Sequence, residues 1–240
     1  MVVLLLHFAA RLCPEIWMRT GTAKQRRFIA VHAIQLPYTL RMNILAYHAL
    51  TECNTVSQVS GHGKTSTWKT FQKHTILLNK LGRGVLFEAT EENAEAFICR
   101  VYTPHSNDTA IDEVRYRLLQ KDTKDRAKLP PSKDCLVQQI KRAHYQSQIW
   151  YLANISVLAQ PSPIESGWFK DPASGQLRPR MEVDDPLPQE FTDVVYCNCK
   201  NCATTRCTCR SKRLTCTGAC SCSDDICQNP FTTVDDDESE

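Results

Sequence analysis

Between Cys197 and Cys227 this chain places nine of its thirteen cysteines within 31 residues, a density that few folds can use. The order is Cys197-Asn-Cys199-Lys-Asn-Cys202, Cys207-Thr-Cys209, Cys216, Cys220-Ser-Cys222 and Cys227-Gln-Asn229. Cross-linking is one use for such sulfur, because small secreted cores staple themselves with disulfides. Metal thiolate is the other, since tetrahedral Zn²⁺ takes four soft ligands at about 2.3 Å. Nine is odd, so disulfides alone strand one thiol. The two sulfurs of a Cys-x-Cys unit rarely meet each other, yet they turn toward one metal when the backbone bends. The spacing therefore points to zinc. Nine thiolates serve two separate ions with one cysteine to spare, or three ions if three sulfurs bridge; the second arrangement uses every cysteine.

Those residues carry a resemblance. Cys-x-Cys, Cys-x-Cys, a lone Cys, Cys-x-Cys and a closing Cys-x-Asn together resemble the tesmin-type CXC domain over the 33 residues from Cys197 to Asn229. Members of that family hold three zinc ions on nine cysteines and bind DNA. The resemblance implies three Zn²⁺ ions on Cys197, Cys199, Cys202, Cys207, Cys209, Cys216, Cys220, Cys222 and Cys227, and a nuclear protein. Three departures stand out. The Cys199–Cys202 gap is shorter than the family's and the Cys222–Cys227 gap is longer. Arg206 also stands where the family often has a tyrosine that enters the minor groove. An arginine suits a narrow minor groove electrostatically, with a changed sequence preference.

Charge limits how DNA can be held. Lys200, Arg206, Arg210, Lys212 and Arg213 face Asp224 and Asp225, a side-chain balance of +3. Three Zn²⁺ with nine thiolates contribute −3, which leaves the module near neutral. Contact with DNA then requires the cations to be segregated on one face, because phosphate affinity follows the cations that reach the backbone.

The rest of the chain is ordinary globular material. A length of 240 residues with 42% hydrophobic and 23% charged side chains allows one or two domains, and a net charge of +3 implies no polyanion partner by itself. No apolar run approaches the roughly 18 residues that span a bilayer, so no membrane partner is expected. The opening Met1-Val-Val-Leu-Leu-Leu-His-Phe-Ala-Ala lacks a basic leader, and His7 and Arg11 interrupt and close it. It reads as a doubly buried strand of a parallel sheet rather than an export signal. Cys13, Cys53, Cys99 and Cys135 show no ligand spacing and read as buried thiols of a reducing compartment.

Further along, Pro14–Gly21 reads as a short helix or turn, Phe28–His32 as a strand and Leu40–Leu50 as a helix. Gly61-His-Gly63-Lys64-Thr65 is no phosphate loop, because Gln58 occupies the first glycine position and no apolar strand leads in. It reads as a tight turn opening a basic helix to about His74, with Trp68 and Phe71 inward. Gly61, Gly63 and Lys64 are candidate contacts to a DNA phosphate there. Helices are expected from Thr90, with Ala94, Phe97, Ile98 and Val101 inward, and from Thr109, with Ile111, Val114, Leu118 and Leu119 inward. A third runs from Ser132 to about Ala153, with Lys141, Arg142 and His144 on its wet face. Residues 161–190 hold six of the twelve prolines and read as a semi-stiff connector, and the chain ends in the acidic run Asp235–Glu240.

Residues 1–170 carry a second, more diffuse resemblance. Leu50-Thr-Glu-Cys-Asn-Thr55, the glycine turn and the helix after it resemble the flap-endonuclease/XPG-type (PIN-like) nucleases, in which a Gly-Cys-Asp segment precedes a DNA-gripping glycine hairpin. A body of this kind joined to a cysteine cluster resembles transposon-derived animal proteins. Such nucleases need several carboxylates to hold two Mg²⁺ ions. Here Asn54 takes the aspartate position, Glu52 takes the glycine position, and an Asp-x-Asp pair would lie upstream of Met1. Glu15 and Glu52 are the only acids in residues 1–87. No catalytic residue is assigned.

The expected fold is mainly α, with a small partial α/β sheet at the N-terminus as a truncated nuclease-like core and an irregular, zinc-stabilised cysteine-rich module at the C-terminus. The expected divisions are a nuclease-like fragment at 1–50, a helical region with the glycine turn at 51–158, and a proline-rich linker at 159–192. A zinc module at 193–230 and an acidic tail at 231–240 complete them. The expected function is zinc and DNA binding on a catalytically decayed body, with a protein partner at the N-terminal sheet edge. The alternatives are a metal-dependent nuclease completed by upstream sequence or a partner, and a non-functional mobile-element remnant.

Overall fold

The computed structural model describes residues 2–120, 128–156, 161–183, 195–218, 220–222 and 226–229. The chain divides into two compact units, Met1–Asp184 and Asp185–Glu240. The described residues are mainly helical, with two small antiparallel sheets and a cysteine-rich C-terminal region. None of their helices is long and apolar enough to cross a membrane.

The first unit begins with helix α1 (Val2–Leu12), where a parallel strand was expected. A strand buried on both faces needs neighbours for every N–H and C=O, and no parallel pairing exists among the described residues. A helix meets those groups internally, and leucine is a good helix former. Leu6 and Phe8 are buried, and His7 Nδ1 lies 3.1 Å from the Arg41 carbonyl of the next helix. The expected helix or turn at Pro14–Gly21 is instead strand β1 (Trp17–Gly21), paired antiparallel with β2 (Arg26–Ala30) in the register Trp17↔Ala30 to Gly21↔Arg26. Gly21 makes this hairpin feasible. It sits at φ +91°, and a Cβ there would lie 2.1 Å from the Gln25 carbonyl oxygen.

The helical body follows as α2 (Tyr38–Thr51), α3 (Lys64–His74), α4 (Glu88–Tyr102), α5 (Ile111–Gln120) and α6 (Lys133–Tyr151). Its core joins Leu50, Phe71, Leu78, Leu81, Phe97, Ile98, Ile111, Val114, Leu136 and Ile140, all essentially inaccessible. The expected apolar stripes of α4 face inward as predicted, whereas Leu119 of α5 is exposed. Helix α4 starts at Glu88 after Phe87, so Thr90 lies inside it, buried, rather than capping it. Ser132 does cap α6, accepting from the Cys135 N–H. Helices α4, α5 and α6 are also tied by one buried carboxylate: Glu95, 3% exposed, accepts the Ile111 N–H at 2.9 Å and pairs with Lys133.

The expected wet face of α6 is dry at two positions. Arg142 and His144 are 3% and 5% exposed. His144 accepts the Gly82 N–H at Nδ1 (2.9 Å), and its Nε2 lies 3.0 Å from the Gly84 carbonyl. One neutral tautomer therefore satisfies both ends of that turn. Arg142 Nη1 donates to the Gly167 and Arg180 carbonyls. Those carbonyls flank a hairpin in the stretch expected to be a connector: β3 (Trp168–Lys170) pairs antiparallel with β4 (Leu177–Pro179). Its proline content suits a turn as well as a linker. Asp171 precedes Pro172 and accepts from Ala173 N and Ser174 Oγ, and Arg178 pairs with it at 2.9 Å. The acidic run Asp235–Glu240 lies outside the described residues.

Arg142→Ala removes the side-chain donor from the Arg180 carbonyl and one of two donors from the Gly167 carbonyl, which keeps the Arg180 N–H. The expected loss is about 2 kcal/mol in chemical denaturation, with amide exchange accelerating first around Trp168–Pro179.

Candidate metal centre

Among its described residues the second unit has almost no apolar core beyond sulfur. Cys197, Cys202, Cys207, Cys209 and Cys220 are buried together, and Val195 is the aliphatic side chain packed on them. Tyr196, Leu214 and Ile226 are exposed. The chain reaches this state through short turns rather than long elements. Cys202 and Arg213 adopt left-handed φ values of +53° and +57°, and a short helix, α7 (Thr208–Ser211), presents Cys209 inward. The Ser221 N–H donates to the Cys197 carbonyl and the Gln228 N–H to the Asn201 carbonyl, so the ends of the motif are bound to its beginning.

All nine cysteines of the motif fall into four overlapping groups of four, within each of which the sulfurs lie no more than 4.8 Å apart. These groups could hold metal ions. The measured Sγ···Sγ separations are 3.5 Å for Cys197–Cys202, 3.6 Å for Cys202–Cys216, 3.9 Å for Cys197–Cys216 and 3.5 Å for Cys209–Cys220. A disulfide bond is about 2.05 Å long. A regular ZnS₄ tetrahedron with bonds of about 2.3 Å has edges of about 3.8 Å. The spacing matches the tetrahedral edge, and the cysteines are free thiols. The sulfur set is also the soft donor set that zinc takes.

Polar groups around the sulfurs are oriented for thiolate. The Arg210 N–H points to Cys207 Sγ at 3.4 Å, the Thr217 N–H to Cys220 Sγ at 3.4 Å, and Asn229 Nδ2 to Cys216 Sγ at 3.4 Å. The Arg210 N–H holds the Cys207 thiol down at about 6. Burial pushes Cys202 and Cys209 up, reinforced by the neighbouring Cys197 and Cys220 sulfurs respectively. Cys216 is pulled down by Asn229 but carried up to about 12 by burial and by its Cys227 and Cys222 neighbours. Without cations among them these sulfurs oppose one another's ionisation. Asn229 also donates to the Leu214 carbonyl at 2.7 Å. The asparagine that closes the motif is therefore a brace for a ligand and for the strand of chain beside it, a role that the pattern Cys-x-Asn marks without explaining.

The expected DNA-contacting residues separate into two groups. Lys200, Arg206, Lys212 and Arg213 are exposed. Arg210 is turned inward: its Nη1 donates to the Cys202, Ala203 and Gln228 carbonyls at 2.9–3.2 Å, which fastens the left-handed turn at Cys202. In the first unit, Gly61 and Gly63 are exposed, and Gly63 caps α3. Lys64 is not available to a phosphate. Its Nζ donates to the His48 carbonyl (3.0 Å), Thr51 Oγ1 (2.8 Å) and the Glu52 carbonyl (2.8 Å), which uses all three ammonium protons at the end of α2. Burial lowers its pKa to about 8. The sequence could not show this, because the acceptors lie 12 to 16 residues away and meet Lys64 only once α2 and α3 have packed.

Compared with protein families, curated proteins and solved structures, the chain finds no match.

Lys64→Met should lower stability by about 2 kcal/mol, because three acceptors at the α2 end lose their partner. The same variant should bind duplex DNA as the parent does, read by fluorescence anisotropy.

Proposed function

We propose that the C-terminal unit is a zinc–thiolate module that binds DNA, carried on a body descended from a nuclease and no longer catalytic. The observation that carries the metal reading is a triangle of sulfurs: Cys197, Cys202 and Cys216 lie 3.5, 3.6 and 3.9 Å apart. Three ions on nine thiolates need three bridging sulfurs, and each pair of bridges then forms one edge of one tetrahedron. In this reading Cys197 and Cys202 bridge with Cys199 and Cys207 as the other ligands of one ion. Cys202 and Cys216 bridge with Cys222 and Cys227, and Cys197 and Cys216 bridge with Cys209 and Cys220. The first two sets are themselves among the close groups, and the third is supported by the Cys209–Cys220 separation of 3.5 Å. The zinc ions supply cross-linking charge, not catalysis, because four-thiolate sites leave no open position.

DNA contact rests on Lys200, Arg206, Lys212 and Arg213, the exposed cations of the unit. The resemblance to CXC domains supports this, and it supports a nuclear location and a transposon-derived origin. The nuclease ancestry of the first unit draws support from Glu52. Its backbone sits at φ +153°, ψ 125°, a conformation natural to glycine, and glycine is the residue that the resembled nucleases carry there. Glu15 and Glu52, both exposed, make a poor pair of ligands for two-metal chemistry.

Native mass spectrometry of the full chain should find three zinc ions, and a chelator should release them together with the fold of residues 195–229. Retention of that fold after metal removal would contradict the reading. Cys202→Ser, at a bridge, should lose more than one ion, whereas Cys199→Ser should lose one at most. For DNA, Arg206→Ala should weaken duplex binding by about 1 kcal/mol and lower the salt slope by about one, leaving the zinc count at three. An unchanged salt slope would remove Arg206 from the interface.

A further inference from the structure

The first unit contains a cavity of about 370 Å³ between α3, the end of α4 and the Pro104–His105 turn. Six of the residues around it carry or can carry positive charge: His62, Lys69, Lys73, His74, Arg100 and His105. None of its lining residues is a carboxylate. Three other cavities of the described residues also lack carboxylates but carry only three, two and two basic side chains, so the number of basic groups marks this one out. Lys69 and Lys73 stand one turn apart on α3, and both are exposed. Neither has a hydrogen bond or ion pair among the described residues.

The neighbouring acid does not neutralise the cavity. Asp108 offers Arg100 only its backbone carbonyl, while its carboxylate pairs with Arg117 at 2.6 Å and is held by Ser106 and Thr103. The far wall is aromatic. Tyr102 meets the His62 ring edge-on, with centroids 4.7 Å apart, and its hydroxyl donates to the Ser60 carbonyl. That bond places Tyr102 as a rigid wall rather than a free donor. Burial, then the Arg100 and Lys73 charges, lower the His74 pKa, so this imidazole registers the positive field of the cleft.

We propose that this cleft binds a phosphate group, which its lysines and Arg100 neutralise while the histidine and tyrosine rings bound the space beside it. The phosphate comes either as the free ion or on a nucleotide; the volume accommodates both. The site lies within the first unit, takes His62 of the Gly61–Gly63 turn into its lining, and uses the side of α3 that Lys64 does not. Electrostatic recognition of this kind draws on several basic groups around one cleft with no carboxylate in its lining.

The test is isothermal titration of the zinc-loaded full chain with inorganic phosphate and, separately, with AMP. Binding of at least one probe is expected, with AMP the tighter if the natural ligand is a nucleotide and equal affinities if it is the phosphate alone. Lys69→Glu combined with Lys73→Glu should weaken binding about tenfold or more, since two exposed cations become anions. Lys80→Glu, the same charge change on an exposed lysine outside the cleft, should leave it within about twofold. If the double charge reversal disturbs the helical circular dichroism, Lys69→Gln alone should still weaken binding several-fold. Absence of binding by both probes, or equal weakening by Lys80→Glu, overturns the proposal.

Discussion

Sulfur atoms held 3.5–3.9 Å apart are the constraint on which the C-terminal unit depends. At that distance thiolates repel strongly, and thiols give little cohesion in return. Nor do the described residues offer apolar surface to compensate, because Tyr196, Leu214 and Ile226 face solvent. The described residues of this unit form neither helix bundle nor sheet and lack the buried area that ordinarily offsets the entropy of ordering. A cation with several coordination positions would contribute the difference, and the four close groups of sulfurs could hold one. The surrounding N–H groups at Cys207, Cys216 and Cys220, and the inward Arg210, then act together by holding each sulfur at its angle.

The first unit obeys a different constraint. Its apolar core is conventional, but the turns between its helices expose backbone polar groups in places closed to water. Long polar side chains answer that need. Lys64 covers the end of α2, His144 both ends of the Gly82–Gly84 turn, and Arg142 the carbonyls beside the β3–β4 hairpin. Glu95 covers the start of α5. A buried polar atom without a partner costs about 1–3 kcal/mol, so these four residues contribute to stability although none is apolar. Other cations are not engaged by the interior, among them the exposed Lys200, Arg206, Lys212 and Arg213 in one unit and Lys69 and Lys73 in the other.

How far the sequence could be read depended on whether a feature was local. Helices α2 through α6 follow from apolar spacing within each segment, and the Ser132 cap from a residue three positions before the N–H it accepts. The nine-cysteine set was legible for the same reason, its members being separated by a handful of residues each. The opening segment was misread because Val-Val-Leu-Leu-Leu satisfies a buried strand and a buried helix equally, and only the neighbours it finds decide between them. The stretch after Pro161 was misread because proline suits linkers and tight turns alike.

By itself the sequence determined that sulfur is concentrated at the carboxyl end at a spacing that could hold metal and that the body is helical, because ligand spacing and helical periodicity are both properties of neighbouring residues. Only the tertiary structure decided which cations face outward, which three sulfurs form the central triangle, and where a cleft lined without carboxylates opens. Each of those depends on contacts between segments far apart in the chain, whose geometry no local pattern records.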